Sequence, residues 1–389
     1  MTLKPTSRRS PATPEELAAA ITMADFRPLA ERVVETPFWD YIEGGSWDEV
    51  SLAENDAAWL SYRFRPRVLV DVSRIEPSST FLGGPSSMPV AIAPMAAHGL
   101  AHPDAEIATA RAAAAAGIPF ISSTMSTASM EQIASAAPDA TRFFQLYVQV
   151  DEGRTRSFVE RAAAAGYGAI VVTVDLPELG YRDRDRRSGF DLDVPHGNFS
   201  DGPGPTHGGH GDDSLEGEGE GEGEGEGEGI SDDVETDDLW LAKNLTWDSL
   251  ATIRSWSSLP LVLKGIMTGE DARLAAAHGV DAIVVSNHGG RQLDRTLAPI
   301  DVLEEIVAAV PEATELWVDG GVRRGLDIAI ACALGARGVL VGRPILWALA
   351  AGGQAGVERA LAILREEFEL ALMLLGAATP GDLRREHLA

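Results

Sequence analysis

His288 and Arg291 stand three residues apart in the run Ser286-Asn287-His288-Gly289-Gly290-Arg291-Gln292-Leu293-Asp294, directly after the apolar Val284 and Val285. An apolar β-branched run that ends abruptly in polar residues reads as a buried strand opening into a loop that carries chemistry. An imidazole titrates near neutrality and can accept a proton, while a guanidinium fork can hold a carboxylate. Gly289 and Gly290 let the backbone turn tightly and let a ligand approach closely. A base beside a carboxylate anchor suits a substrate with an acidic proton and a carboxylate on adjacent carbons, as in a 2-hydroxy acid.

The same arrangement of apolar run and polar end recurs along the chain. Thr173-Val174-Asp175-Leu176-Pro177 is followed by Arg182, and Lys264-Gly265 closes another run. In Phe144-Gln145-Leu146-Tyr147 the alternation of a strand places Gln145 and Tyr147 on one side. A second signature lies further on, where Asp319-Gly320-Gly321-Val322-Arg323-Arg324-Gly325 leads into a helix and Gly342-Arg343-Pro344 follows the next strand. Gly-rich turns after the seventh and eighth strands of a barrel expose N–H groups near a helix N-terminus and favour phosphate. Arg323 and Arg343 add charge-assisted donors there. Lys264 is placed to meet an electron-rich ring and stabilise developing negative charge. His98 and His102 have no carboxylate or cysteine at ligand spacing, so they read as structural and no metal is expected.

These polar ends need strands to position them. Candidate strands are 90–94, 119–123, 142–148, 169–174, 261–264, 282–286, 316–319 and 338–341, and helical patterns fall at 106–116, 154–165, 272–278, 300–309 and 325–334. Short apolar strands alternating with amphipathic helices predict a parallel sheet covered by helices, and eight units predict an α/β fold of the (β/α)8 TIM barrel type. No GxGxxG motif follows an early strand, which argues against a Rossmann domain. The expected layout is a flexible tail over 1–13 and one barrel domain over 14–389. That domain has an N-terminal helical extension and a disordered acidic insertion at 201–238, in the fourth βα connection, where a lid would sit.

The chain is 45% hydrophobic and 23% charged over 389 residues, enough to bury a full core. No run of about 18 apolar residues is present, and Pro11, Pro14, Glu15 and Glu16 stand where a signal peptide needs an apolar segment. Cys332, the single cysteine, lies among small apolar residues and reads as a buried reduced thiol, consistent with a cytoplasmic protein. Of the net charge of −27, residues 201–238 contribute 15 acidic groups and no Lys or Arg, including strict Glu-Gly alternation from Glu216 to Gly229. Spaced like charges on glycine predict an extended, solubilising segment. Nucleic acid and anionic lipid are excluded as partners for so acidic a chain.

With these motifs assembled, the chain closely resembles the FMN-dependent L-2-hydroxy acid oxidase and dehydrogenase family (glycolate oxidase, lactate oxidase, mandelate dehydrogenase). The similarity runs from about Leu29 to Arg385, interrupted mainly by the Glu-Gly insertion. The Ser286–Gln292 motif is specific for the family, and Ala93-Pro94-Met95-Ala96-Ala97-His98-Gly99-Leu100-Ala101-His102 with Arg182-Asp183-Arg184-Asp185 looks most like its lactate oxidase branch. The resemblance implies that His288 takes the substrate hydroxyl proton and that Arg291 and Arg182 grip the carboxylate, helped by Tyr41. It implies that Tyr147 hydrogen-bonds the hydroxyl and Asp175 stabilises the imidazolium. It implies FMN held by Pro94, Met95, Ala96, Ser123, Gln145, Thr173, Lys264, Ser286, Asp319, Gly320, Gly321, Arg323, Gly342 and Arg343. Relatives are commonly tetramers or octamers, so a homo-oligomer is expected. Ala96, where some dehydrogenase relatives have Gly, favours O2 as acceptor and hydrogen peroxide as co-product. Alternatives are a soluble dehydrogenase passing electrons to a quinone or other carrier, a tailoring oxidase acting on a larger hydroxy acid or amine, and a non-catalytic flavin- or phosphate-binding scaffold. Met125 stands where relatives often place an aromatic residue against the substrate side chain, which predicts a differently shaped pocket.

Overall fold

Eight short parallel strands close into a barrel in the computed structural model, which describes residues 10–190, 192, 196–199 and 240–389. A two-stranded hairpin comes first, β1 (Ser79–Phe81) and β2 (Gly84–Ser86). The barrel strands are β3 (Val90–Ile92), β4 (Phe120–Ser122), β5 (Arg142–Leu146), β6 (Ile170–Thr173), β7 (Leu261–Ile266), β8 (Ala282–Val285), β9 (Glu315–Val318) and β10 (Gly338–Val341), with β10 paired to β3. Each coincides with a strand expected from sequence, shifted by a few residues at most at its ends. Helices cover the outer face of the sheet and side chains fill the inner one. Every residue of these strands is therefore buried except Gly265 in β7 and Glu315 at the start of β9.

Local chemistry sets the helix limits. Helix Ala105–Ala116 is largely alanine, the best helix former, and stops at Gly117 in the left-handed conformation. Asp151 caps Glu152–Ala164 by accepting the Arg154 N–H at 3.2 Å, and Thr268 caps Gly269–Ala277 through the Asp271 N–H at 3.2 Å.

The barrel interior is filled by Ile121, Phe143, Val171, Val262, Val284, Trp317 and Leu340 with alanines between them. Phe81, at the end of β1, joins this interior cluster, its ring edge-on to Trp317 at 5.1 Å. That hairpin plug was not among the expected strands. Nor was the longest element, helix Arg343–Leu375, which continues across a kink at Gly352 and Gly353, where the backbone leaves helical geometry.

Helices Pro14–Ala19, Phe26–Val33, Thr36–Glu43 and Val50–Trp59 form the expected N-terminal extension. The Ala12 N–H donates to the Ala351 carbonyl at 2.9 Å and Thr13 caps the first helix, so the chain is already tied to the barrel at those residues. The first nine residues and the acidic insertion at 201–238 lie outside the described residues. Among the described residues no helix is long and apolar enough to cross a membrane, and no group of metal-ligating side chains is present.

Candidate active site

The C-terminal ends of the strands open into a cavity of about 160 Å³ that draws its lining from seven of the βα connections and from helix Thr36–Glu43. His288 stands just beyond β8 with φ of +59°, a left-handed conformation uncommon outside glycine and concentrated at functional sites. Its N–H donates to the Ser286 hydroxyl at 3.1 Å. On the ring, Nδ1 lies 3.0 Å from Asp175 Oδ1 and Nε2 lies 3.5 Å from the Tyr147 hydroxyl. Burial alone would raise the Asp175 carboxyl. The charge and hydrogen bond of His288, with Lys264, outweigh it and hold Asp175 below the ordinary carboxylate value. Burial lowers the His288 imidazole below its ordinary 6.5, with Lys264 and Arg182 acting in the same direction against Asp175. The pair at neutral pH is thus a carboxylate and a neutral imidazole. Because a carboxylate only accepts, Nδ1 carries the proton and the Nε2 lone pair faces the cavity. Burial pushes the Tyr147 phenol well above its usual range, so it remains a hydrogen-bond donor.

Two guanidinium groups flank this imidazole. Arg291 donates to the carbonyls of Tyr41 at 2.5 Å and Gly44 at 2.9 Å, and its second terminal nitrogen, Nη2, is buried without a partner. Arg182 reaches the Arg291 carbonyl at 3.3 Å and lies 3.9 Å from Asp185. Both sit over the Tyr41 ring, at 4.5 Å and 5.9 Å, so Tyr41 packs beneath the two cations as well as lining the cavity. Burial, then the charge of Arg291, pulls Arg182 down to about 10, still protonated at neutral pH. Two like charges held this close out of water are relieved by an anion between them.

A polar wall runs across adjacent strand ends on the other side. Ser123 donates to Gln145 Oε1 at 3.2 Å, and Gln145 Nε2 donates to Thr173 at 3.0 Å. Lys264 Nζ contacts the Ser286 hydroxyl at 2.8 Å and Asp319 at 3.3 Å, leaving Asp319 Oδ1 buried without a partner. Pro94, Met95, Ala96, Gly320, Gly321, Arg323, Gly342 and Arg343 complete the lining. Helix Arg343–Leu375 begins at this end, its first residue in the lining. Arg323 lies 5.3 Å above Trp347 and 3.0 Å from Asp56, while Arg343 donates to the Ile42, Gly44 and Gly289 carbonyls at 2.8–3.0 Å. Burial, with Arg291 and Arg323 nearby, brings Arg343 down to about 9.

Of the residues assigned roles from sequence, all line this cavity except Ser286 and Asp175, which stand behind Lys264 and His288 and orient them. Gly289 and Gly290 turn the chain as expected. At Gly290, however, the close approach they permit is of protein: a Cβ there would lie 2.6 Å from the Leu52 backbone nitrogen. His98 is buried with Nδ1 on Thr109, and His102 accepts from the Asp104 N–H, as structural residues do. Cys332 is buried and its thiol pushed up to about 12 by burial.

Sequence reading missed three supports and one wall. Asn55 and Asn287 form a reciprocal buried amide pair at 2.9 and 2.8 Å. Asp294 accepts the Ser51 N–H at 2.8 Å, and Gln292 links the β8 loop to the β6 loop through Gly180 N–H and the carbonyls of Asp175 and Glu178. The missed wall is Leu176, Leu179, Leu192 and Trp240, the last two standing on either side of the insertion in sequence. The polar motif residues were visible because clustered polar groups at strand ends have few structural explanations; isolated apolar residues scattered along a long connection carry no such signal.

Barrel and mouth together define an enzyme-type (β/α)8 protein, with a base and two cations at the C-terminal ends of its strands. Within that class the chain belongs to the FMN-dependent dehydrogenase family, whose family model matches residues 30–389. It is 44% identical over 370 residues to an L-lactate oxidase of Nostoc sp. (strain PCC 7120 / SAG 25.82 / UTEX 2576), covering 94% of this chain and 97% of that one. It is 42% identical over 372 residues to glycolate oxidase 1 of Oryza sativa subsp. indica, covering 94% of each. A crystal structure of mandelate oxidase with (S)-4-hydroxymandelic acid superimposes with a TM-score of 0.84 at 40% identity, covering 95% of this chain and 98% of that one. FMN is the cofactor of this family, and the donor set fits it. An amide, two hydroxyls and an ammonium suit a ring edged with carbonyl and N–H groups, and a helix N-terminus with two arginines suits a phosphate.

Proposed function

We propose that this chain oxidises an L-2-hydroxy acid to the 2-keto acid with FMN as cofactor and O2 as acceptor, releasing hydrogen peroxide. The observation that carries this reading is His288, held by Asp175 through Nδ1 and presenting Nε2 to a cavity that also holds Tyr147, Arg182 and Arg291. Arg291 and Arg182 grip the carboxylate between them, with Tyr41 beside them, and this places the C2 hydroxyl at Tyr147 and His288. Nε2 takes the hydroxyl proton, and the Asp175 carboxylate stabilises the imidazolium that results. General-base catalysis of this kind contributes about 10²–10⁴ in rate. The chemistry FMN would supply when bound is uptake of the C2 hydrogen together with its two electrons, which O2 would remove as hydrogen peroxide.

Pro94, Met95, Ala96, Ser123, Gln145, Thr173 and Lys264 would hold the flavin ring, with Ser286 acting through Lys264. Asp319, Gly320 and Gly321 would hold the chain that leads to the phosphate, and Arg323, Gly342 and Arg343 the phosphate itself. Ala96 on the flavin side, and the oxidase names of the relatives at 42–44% identity, support O2 over a quinone.

We also read the chain as a cytoplasmic homo-oligomer, a tetramer or octamer. Val68, Leu69 and Val70 on an extended segment and Leu370, Met373 and Leu374 on the last helix are all exposed, and the Arg67 N–H donates to the Leu375 carbonyl at 3.1 Å between the two groups. So many large apolar side chains on two adjoining segments support a surface through which copies of the chain associate.

The test is anaerobic titration of the FMN-loaded protein with L-lactate, glycolate and L-mandelate, followed by air. The expected result is bleaching of the flavin bands by at least one acid and recovery with stoichiometric peroxide. A protein that cannot be loaded with FMN, or whose flavin none of these acids bleaches, would overturn the reading.

A further inference from the structure

The cavity is two-sided. The carboxylate and hydroxyl of a 2-hydroxy acid are matched by Tyr41, Tyr147, Arg182, His288 and Arg291; among the described residues the second surface is formed by Met125, Leu176, Leu179, Leu192 and Trp240, none of them charged or hydroxyl-bearing. A substrate anchored through its polar end presents its C2 substituent to this second surface. Among the described residues of this surface a charged substituent finds no partner, which disfavours it against an apolar one.

Trp240 is fixed in place. Its carbonyl accepts the Val150 N–H at 3.0 Å, the next residue bridges Gln149, and the Ala242 N–H donates to the Val148 carbonyl at 2.9 Å, so the segment that follows the insertion is stitched to the loop after β5. Its ring meets Tyr147 edge-on, with centroids 6.0 Å apart and planes at 80°. Tyr147 in turn carries the hydroxyl 3.5 Å from His288 Nε2, so only one ring separates Trp240 from the base. Met125 is held equally firmly, 3% exposed, by its N–H on Ser123 Oγ at 3.0 Å and its carbonyl on the Ala97 N–H at 3.0 Å. An indole and a thioether both suit an aromatic neighbour: one offers ring contacts of defined geometry, the other a polarizable sulfur.

We infer that Trp240, with Met125, is the specificity-determining residue of this site and that the preferred substrates are L-2-hydroxy acids bearing an aryl group on C2. This deepens the oxidase reading and rests on it. Because Trp240 is pre-positioned, the aryl group gains contact without ordering the wall first.

The experiment compares wild-type holoenzyme with Trp240→Ala and Trp240→Phe on L-mandelate, L-lactate and L-malate, and measures equilibrium binding of the keto acids phenylglyoxylate and pyruvate to the same proteins. Expected are a higher kcat/KM for L-mandelate than for L-lactate in the wild type, with L-malate poorest. Trp240→Ala should then lose about 10- to 30-fold on L-mandelate, change L-lactate by less than about 3-fold, and weaken phenylglyoxylate binding but not pyruvate binding. Trp240→Phe should restore most of the loss. Equal losses on both substrates and both keto acids would overturn the assignment by making Trp240 a structural residue. A wild-type preference for L-lactate would overturn the aryl class. Failure of the oxidase reading looks different: no acid bleaches the flavin in any of the three proteins.

Discussion

An imidazole can serve as a base only while it is neutral and its free nitrogen faces the substrate, and at position 288 both conditions come from neighbours. Asp175 fixes the tautomer, and burial with Lys264 and Arg182 keeps the ring neutral. Since the folded-state value lies below 6.5, kcat/KM should be flat at neutral pH and fall on the acid side as His288 becomes protonated. Asp175 is what raises His288, so Asp175→Asn should move that acid limb to lower pH. It should also cut kcat by about 100-fold, because the imidazolium formed during turnover loses its counter-charge. His288→Ala should abolish flavin reduction by substrate while FMN stays bound; near-normal reduction would refute its role as base. These residues were legible because Asp, His and Arg at the end of apolar runs have few structural explanations. Arg343 shows what such reading leaves out. Beside the phosphate its charge suggests, its Nε and Nη2 donate to three backbone carbonyls, a duty no sequence reveals because it cannot show which loops will need a cation to bind them together.

The eight barrel strands were readable as elements because each is a short apolar run bounded by glycine, proline or polar residues, and the parallel sheet buries both faces. The β1–β2 hairpin was not, since Ser79-Thr80-Phe81 and Gly84-Pro85-Ser86 have no apolar alternation, and only the tertiary role of Phe81 as a plug makes them a pair. The irregularity in β7 was equally silent. Between Lys264 and Ile266 the register with β8 shifts, and Gly265 adopts φ of +115°. A Cβ at that position would lie 2.6 Å from Cβ and Cγ of Asp175. The bulge is therefore the space into which Asp175 fits, and it turns a strand defect into the seat of the residue that orients the His288 ring. Gly265→Ala should displace the carboxylate and lower kcat by at least about 10-fold, with the acid limb of the pH profile shifted as in Asp175→Asn. A variant with wild-type kcat and pH profile would show that the bulge is indifferent to catalysis.

At the scale of the molecule, the site depends on two bodies meeting: the barrel supplies His288 and Asp175, and the N-terminal extension supplies Tyr41 and carbonyls that hold Arg291 and Arg343. The seam is built around the β8 and β9 loops. Asn55 pairs with Asn287, the Trp59 indole donates to the Gly320 carbonyl at 2.8 Å, and Gly321 packs so closely on helix Val50–Trp59 that a Cβ would lie 1.9 Å from the Asn55 carbonyl oxygen. From sequence, the glycines of Asp319-Gly320-Gly321 read as a phosphate turn; the structure gives Gly321 a second duty as the contact point of the two bodies. The two duties can be separated by comparison with Gly279. Both glycines have positive φ, +77° and +70°, so alanine costs each about 1–2 kcal/mol of backbone strain. A Cβ at Gly279 meets nothing within 4 Å, whereas at Gly321 it must push a helix backbone aside. Gly279→Ala should therefore lower the melting temperature slightly and leave FMN affinity and KM unchanged. Gly321→Ala should lower the melting temperature by several times as much, weaken FMN binding, and raise the KM for substrate through the displaced Tyr41 and Arg291. Equal effects of the two substitutions would mean that backbone strain alone accounts for both and that the seam does not transmit to the site.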